Sequence, residues 1–210
     1  MARTADSFKR KDSKFLQVPT ILVVCEDLLS GKNYLEDAAV HFRANAKVEI
    51  MHCGLTHPKG IVEYAIGRQK KFDKVFCAID RDTHESFEEA LMMARAHEKV
   101  NVIASYPCFE YWLLLHFGYT RKPYTRSGNN SAGDNVGVDL RGKNGMADYV
   151  KSGGRGYFKK LLGEPFKQAR LLSPRILEDA FQSGDMNPST QLHLLIDEFE
   201  SISKPKPVVP

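Results

Sequence analysis

The stretches TILVVCE (residues 20–26) and KVFCAIDRD (residues 74–82) decide the fold. Each is a short apolar run, rich in β-branched residues, that ends in carboxylates. Runs of this length and composition read as buried strands. Working outward, Asp27 to Phe42 reads as a turn and a helix that Ser30 can cap, with Tyr34, Leu35, Ala38 and Phe42 as its apolar stripe. KVEIM (47–51) reads as a second strand, and residues 59–70 as a helix through Ile61, Val62, Ala65 and Ile66. Residues 84–98 carry Phe87, Leu91 and Ala94 on one helical face, and NVIA (101–104) is a short fourth strand. Pro107 suits the first position of the helix PCFEYWLLLHF, which is apolar nearly all round. Strands alternating with helices predict an α/β fold with a mostly parallel, four-stranded sheet flanked by helices.

The remainder predicts a C-terminal helical extension. Helices are expected over about 156–172, about 174–182 and 188–201, the last with Asn187 as N-cap and Pro188 as first residue. The organisation expected is a flexible basic arm (1–19), an α/β core (20–117), a basic Gly/Asn-rich loop (118–155), a helical extension (156–202) and a Pro-rich tail (203–210), together forming one compact domain.

The 210 residues carry a formal net charge of only +4, which excludes a histone-like basic coat and an acidic disordered chain. The charge is uneven, at +3 over residues 1–20, −3 over 21–117, +8 over 118–175 and −4 over 176–210. The basic stretch contains RSGNNSAGDNVGVDLRGKNG, rich in turn formers, and interleaves its cations with Tyr119, Tyr124, Tyr149, Tyr157 and Phe158. It reads either as a solvated insertion or as a surface for phosphate backbones, with the aromatics stacking on bases or serving the core. No apolar run approaches the roughly 18 residues of a membrane span. The start, MARTADSFKRKDSKF, lacks the apolar middle of a signal peptide. Cys25, Cys53, Cys77 and Cys108 form no CxxC pair, so the expectation is a reduced, cytoplasmic protein without disulfides or zinc.

Ligands of open parallel sheets bind at the carboxyl ends of the strands. Glu26 follows the first strand, and Asp80 and Asp82 follow the third. If those strands are neighbours, three carboxylates converge and require a neutralising charge. A hard divalent ion, Mg²⁺ or in its place Mn²⁺, suits oxygen ligands of this kind and can activate a phosphodiester and water. The plainer reading is that Glu26 and Asp27 accompany one helix start and Asp80 and Asp82 cap another.

The blocks ILVVCEDLLSGKNYL, VFCAIDRDTHESF, SYPCFEYWLLLHF and NPSTQLHLLI occur in that order and resemble the RloB-like proteins. These are bacterial proteins linked to restriction and phage-defence loci, associated with ATPase partners, and they look like members of the Toprim superfamily. The resemblance implies a Toprim-like fold in which Glu26, Asp80 and Asp82 bind Mg²⁺ and support phosphodiester chemistry. Where the Toprim glutamate is often followed by Gly, this chain has Asp27.

Glu110, in the opening turn of its apolar helix, reads either as an additional acid beside the metal or as a favourable helix-terminal charge. Lys32, Arg81, Arg121, Lys122, Arg126 and His193 are the candidate substrate contacts, though His193 reads more simply as a solvated helix residue. His57, His84, His116 and Cys53 show no metal spacing. The leading expectation is a Mg²⁺-dependent nuclease acting on DNA, RNA or tRNA in phage defence. The alternatives are a non-catalytic nucleic-acid-binding or docking subunit of an ATPase-containing complex, and, more remotely, a phosphohydrolase with Asp80 as nucleophile. Against the last, Thr83 stands one place early for the haloacid dehalogenase motif.

Overall fold

The computed structural model describes residues 19–81, 84–151, 153 and 155–204. Asp82, most of the N-terminal arm and most of the Pro-rich tail therefore lie outside the described residues. Strands β1 (Ile21–Cys25), β2 (Val48–His52), β3 (Lys74–Asp80) and β4 (Val100–Tyr106) alternate with helices α1 (Ser30–His41), α2 (Pro58–Arg68) and α3 (Phe87–Arg95). A short α4 (Glu110–Leu114) follows β4, and then come α5 (Ala132–Arg141), α6 (Tyr157–Leu161), α7 (Glu164–Ser183), β5 (Ser189–Thr190) and α8 (Leu192–Ser203).

The sheet order is β2-β1-β3-β4-β5. The first four strands run parallel, and β5 joins β4 antiparallel through Ser105 opposite Thr190 and Tyr106 opposite Ser189. Among the described residues the sheet thus has five strands rather than the expected four. The helix expected to begin at Pro188 instead starts at Leu192, because Gln191 holds the chain against the sheet. Its N–H donates to the Ala104 carbonyl and its side-chain oxygen accepts the Ala104 N–H, both at 2.9 Å. Asn187 does not cap a helix. Its amide and its carbonyl oxygen bond the carbonyl and N–H of Tyr124, fastening the basic segment to this turn.

Alternation along β1 explains the layering. Ile21, Val23 and Cys25 face a core built with α1, α4, α7 and α8, while Leu22 and Val24 face a second core built with α2 and α3. All five β1 residues are buried, as expected for a central parallel strand covered on both faces.

Further elements depart from the pattern read in the sequence: the helix expected over about 156–172 is broken at Leu162 and Gly163 into α6 and α7, and α4 starts at Glu110 rather than at Pro107. Residues 132–141 are helical, although composition predicts loop. A capping box starts this helix, with the Ser131 hydroxyl accepting the Asp134 N–H and the Asp134 carboxylate accepting the Ser131 N–H, while Val136 and Leu140 face inward. The break expected near Pro174 is absent, and α7 runs through it. Phe166, Ala169, Ser173, Ile176 and Ala180 form one buried stripe along α7, and this packing outweighs the hydrogen bond that Pro174 removes. Among the described residues no helix is long and apolar enough to cross a membrane.

Candidate functional site

The register decides what meets at the carboxyl edge of the sheet. Cys25 pairs with Ala78 of β3, and Asp80 pairs with Ser105 of β4. The side chains following β1 and closing β3 therefore share one crevice, lined by Glu26, Asp27, Gly31, Asp80, Ser105, Phe109 and Leu192 among others. Glu26 reaches across the strand ends, and its Oε2 accepts the Asp80 N–H at 2.9 Å. Its Oε1 lies 3.5 Å from His84 Nε2. Burial, then the Glu26 and Glu110 charges, push the Asp80 carboxyl well above the usual carboxylate range, while Lys151 and the Phe109 N–H pull the other way.

Glu110 is only 2% exposed. The Tyr149 hydroxyl donates to its Oε1 at 2.8 Å. Among the described residues no hydrogen bond of normal geometry reaches Oε2, although the Cys108 thiol lies beside this carboxylate. Burial, then Glu110 and Asp80, push that thiol well up. A buried carboxylate oxygen left in this state is costly unless positive charge is near.

The crevice brings together Glu26 and Asp80, with Glu110 close enough to raise the Asp80 pKa. Asp82 lies outside the described residues. Among the described residues no three His, Cys, Asp or Glu side chains are grouped round one point as metal ligands. The donor chemistry nevertheless fits a hard divalent ion, since the donors are carboxylates under mutual repulsion and Glu110 Oε2 is an orphaned buried oxygen. Asp27 lines the same crevice and serves the start of α1. Its two oxygens accept the N–H groups of Leu29 and Gly31 at 3.0 and 2.6 Å, so Asp27 rather than Ser30 starts α1. That capping role accounts for an acidic residue at the position after Glu26.

The candidate substrate contacts divide by location. Lys32 lies on α1 near the crevice, paired with Glu36 at 2.5 Å. Arg81 stands over the Phe87 ring at 4.9 Å, with Glu88 at 3.9 Å. Arg121 donates to the Pro188 and Asp185 carbonyls and to the Ser183 hydroxyl, tying the basic segment to the turn after α7. Lys122 pairs with Asp139 at 2.7 Å, and Arg126 is exposed. His193, read as solvated, is 5% exposed instead, with Nδ1 at 2.7 Å from the Ser173 hydroxyl. Of the aromatics, Tyr124, Tyr149 and Phe158 are core residues, while Tyr119 is 48% exposed.

Sequence reasoning missed three neighbours of the carboxylates. His84 reaches Glu26, Tyr149 reaches Glu110, and Lys151 acts on Asp80. Only His84 carried a usable signal, its closeness to Asp80 in the chain. Tyr149 and Lys151 sit in a stretch without periodicity.

No curated protein and no solved structure matched this chain. A family model described as RloB-like protein matches residues 21–199, so the chain belongs to the RloB-like family.

Proposed function

We propose that this protein is a Mg²⁺-dependent nuclease of the Toprim type, with Mn²⁺ able to substitute. On this reading it cuts phosphodiester bonds of DNA, RNA or tRNA in the cytoplasm as an effector of bacterial phage defence, alongside an ATPase partner. The observation that carries the reading is the delivery of Glu26 and Asp80 by adjacent parallel strands to one crevice, with Asp80 under like-charge strain. Strand ends hold such groups more rigidly than loops do, and a strained pair of carboxylates is a demand for a cation.

Glu26 and Asp80 would hold the ion, with Asp82 as the third donor expected from the motif. When bound, a divalent ion supplies Lewis-acid polarisation of the phosphodiester and lowers the pKa of water. The chain's own groups do the rest. The Asp80 N–H fixes Glu26 Oε2, which orients the other carboxylate oxygen towards His84. His84 and Glu26 together can accept and pass on a proton at Oε1. The Tyr149 hydroxyl holds the Glu110 side chain close enough to act on Asp80.

The test is a cleavage assay with Mg²⁺ and with Mn²⁺ on DNA, RNA and tRNA, using the chain alone and with an ATPase partner. Asp80→Asn and Glu26→Gln are each expected to lower the rate by roughly a hundredfold to a thousandfold, the range for removing one preorganised electrostatic group. Absence of cleavage under all of these conditions would sink the reading. Nucleic-acid binding that survives chelation and Asp80→Asn would instead make the chain a non-catalytic docking subunit.

A further inference from the structure

β4 pairs with β3 from Val100 to Ser105, but on its other side it is bonded only near its end. There β5 meets Ser105 and Tyr106, and Gln191 takes both backbone groups of Ala104. Among the described residues no strand lies beside residues 100–103 on that side. Backbone groups alternate between the two sides of a strand. The Lys99 and Ser105 carbonyls accept from Val75 and Arg81 on the β3 side, whereas Ala104 bonds to Gln191 on the other. The N–H and C=O of Val102 and the C=O of Val100 therefore point out of the sheet edge, while the Val100 N–H donates to the His97 carbonyl. Backbone groups left in this way are a template for another strand. Grooves of about 430 and 660 Å³ run along the two faces of this edge, and Glu98, Asn101 and Val102 line both. Phe181 stands on one rim, 60% exposed, and Leu194 on the other, 47% exposed.

We propose that this edge of β4 is the interface of a homodimer, in which two copies pair antiparallel with Asn101 opposite Asn101. The open edge is short, ended by the turn at 97–99 and by Gln191, and a second β4 has that same length. This register sets the Val102 N–H of each copy against the Val100 carbonyl of the other, twice over, as a two-fold axis requires. It also brings Glu98 of each copy to the far end of the other's edge, in the groove that Arg95 lines. Among the described residues neither Glu98 nor Arg95 has an ion-pair partner within the chain, so the symmetric pair supplies each with the opposite charge. Phe181 and Leu194 flank the contact on its two faces. Asp80 lies opposite Ser105, beyond Gln191, so the interface stands whether or not the crevice cuts nucleic acid.

The experiment is sedimentation velocity of the full chain over a concentration series, with circular dichroism to confirm the fold of each variant. Wild type is expected to reach twice the 23.7 kDa of one chain. Asn101 is exposed, and its side-chain amide reaches only the Lys99 carbonyl at 3.4 Å, so it can be replaced without loss of a core contact. Asn101→Lys and Asn101→Asp each set like charges face to face at the axis, and each is expected to weaken the dimer about fivefold. Mixing these two variants restores association, because Lys then faces Asp. Asn101→Cys supplies a check on register. Opposed residues of a non-hydrogen-bonded antiparallel pair have Cα atoms ~4.5 Å apart, within the reach of a disulfide. Asn101→Cys is therefore expected to cross-link as a dimer under mild oxidation that leaves wild type uncross-linked. Three results overturn the proposal. One is a monomeric wild type at the highest soluble concentration, as when the chain's own termini or a strand of another protein fill the edge. The second is a dimer that neither charge variant weakens. The third is the absence of a cross-link through Asn101→Cys.

Discussion

The two sides of the crevice are built in opposite ways. Glu26 and Asp80 stand at the ends of β1 and β3, whose register with each other and with β4 is fixed by ladders of backbone bonds and by cores on both faces. Lys151 stands in a stretch with almost no regular structure, held by side-chain bonds from Ser30 to its carbonyl and from Tyr149 to Glu110. The rigid side can hold like charges together against their repulsion. The other side supplies the opposing cation from a segment joined to the core through the Ser30 and Tyr149 side chains. The acidic half is thus preorganised by backbone ladders, whereas the basic half is placed by long-range side-chain bonds.

The largest expected effect lies in the rigid core. His116 is buried, with Nε2 at 3.2 Å from the Tyr34 hydroxyl and Nδ1 at 3.0 Å from the Trp112 carbonyl. Burial lowers its pKa from 6.5 to about 4. Between those values the unfolded chain takes up the proton and the folded chain does not. The stability from neutral His116 is therefore present above pH 6.5 and is lost as pH falls towards 4. The loss amounts to about 3 kcal/mol at 1.36 kcal/mol per pKa unit. Urea unfolding of wild type and His116→Gln at several pH values should show that difference in slope across this window. Parallel curves would mean that the imidazole is not held neutral by the core.

A smaller effect of opposite sign is expected at the strand end. The folded-state pKa of Asp80 is raised, so its charge disfavours the fold as pH rises through that value. At neutral pH in EDTA, Asp80→Asn should stabilise the protein by roughly 1–3 kcal/mol, the scale of relieving an unfavourable buried charge. Thermal unfolding measures this, and a lower melting temperature would show that Asp80 is a structural partner rather than a strained one. The smallest effect falls in the basic segment. Ser131→Ala removes the hydroxyl that accepts the Asp134 N–H at 3.1 Å, at an expected cost of about 1 kcal/mol. Hydrogen exchange should show that loss in the α5 amides, with β1 and β3 unchanged. Equal loss in both would mean that the two regions unfold as one unit.

These contrasts also explain what could be read from the sequence. The central strands β1 and β3 were legible because a strand buried on both faces is a near-continuous apolar run, β2 at the sheet edge because it alternates, and Glu26 and Asp80 because they stand at the ends of the central runs. The fifth strand was not, since Ser189 and Thr190 pair with β4 only because Gln191 bonds both backbone groups of Ala104. Pro174 looked like a break because the packing stripe on either side of it belongs to the tertiary structure. Glu110 meets Tyr149 across 39 positions and Ser30 meets Lys151 across 121, and no local pattern encodes such meetings. The helix at 132–141 did carry a signal, Ser131 and Asp134 at capping-box spacing, masked by the Gly and Asn around it.

The central claim is that the strand-end carboxylates form a divalent-cation site, and Mn²⁺ binding followed by electron paramagnetic resonance tests it most directly. Wild type is expected to bind Mn²⁺ in competition with Mg²⁺. Glu26→Gln and Asp80→Asn should each lose that binding while remaining folded by circular dichroism. Equal Mn²⁺ binding in all three proteins, or none in wild type, would contradict a cation site at these strand ends.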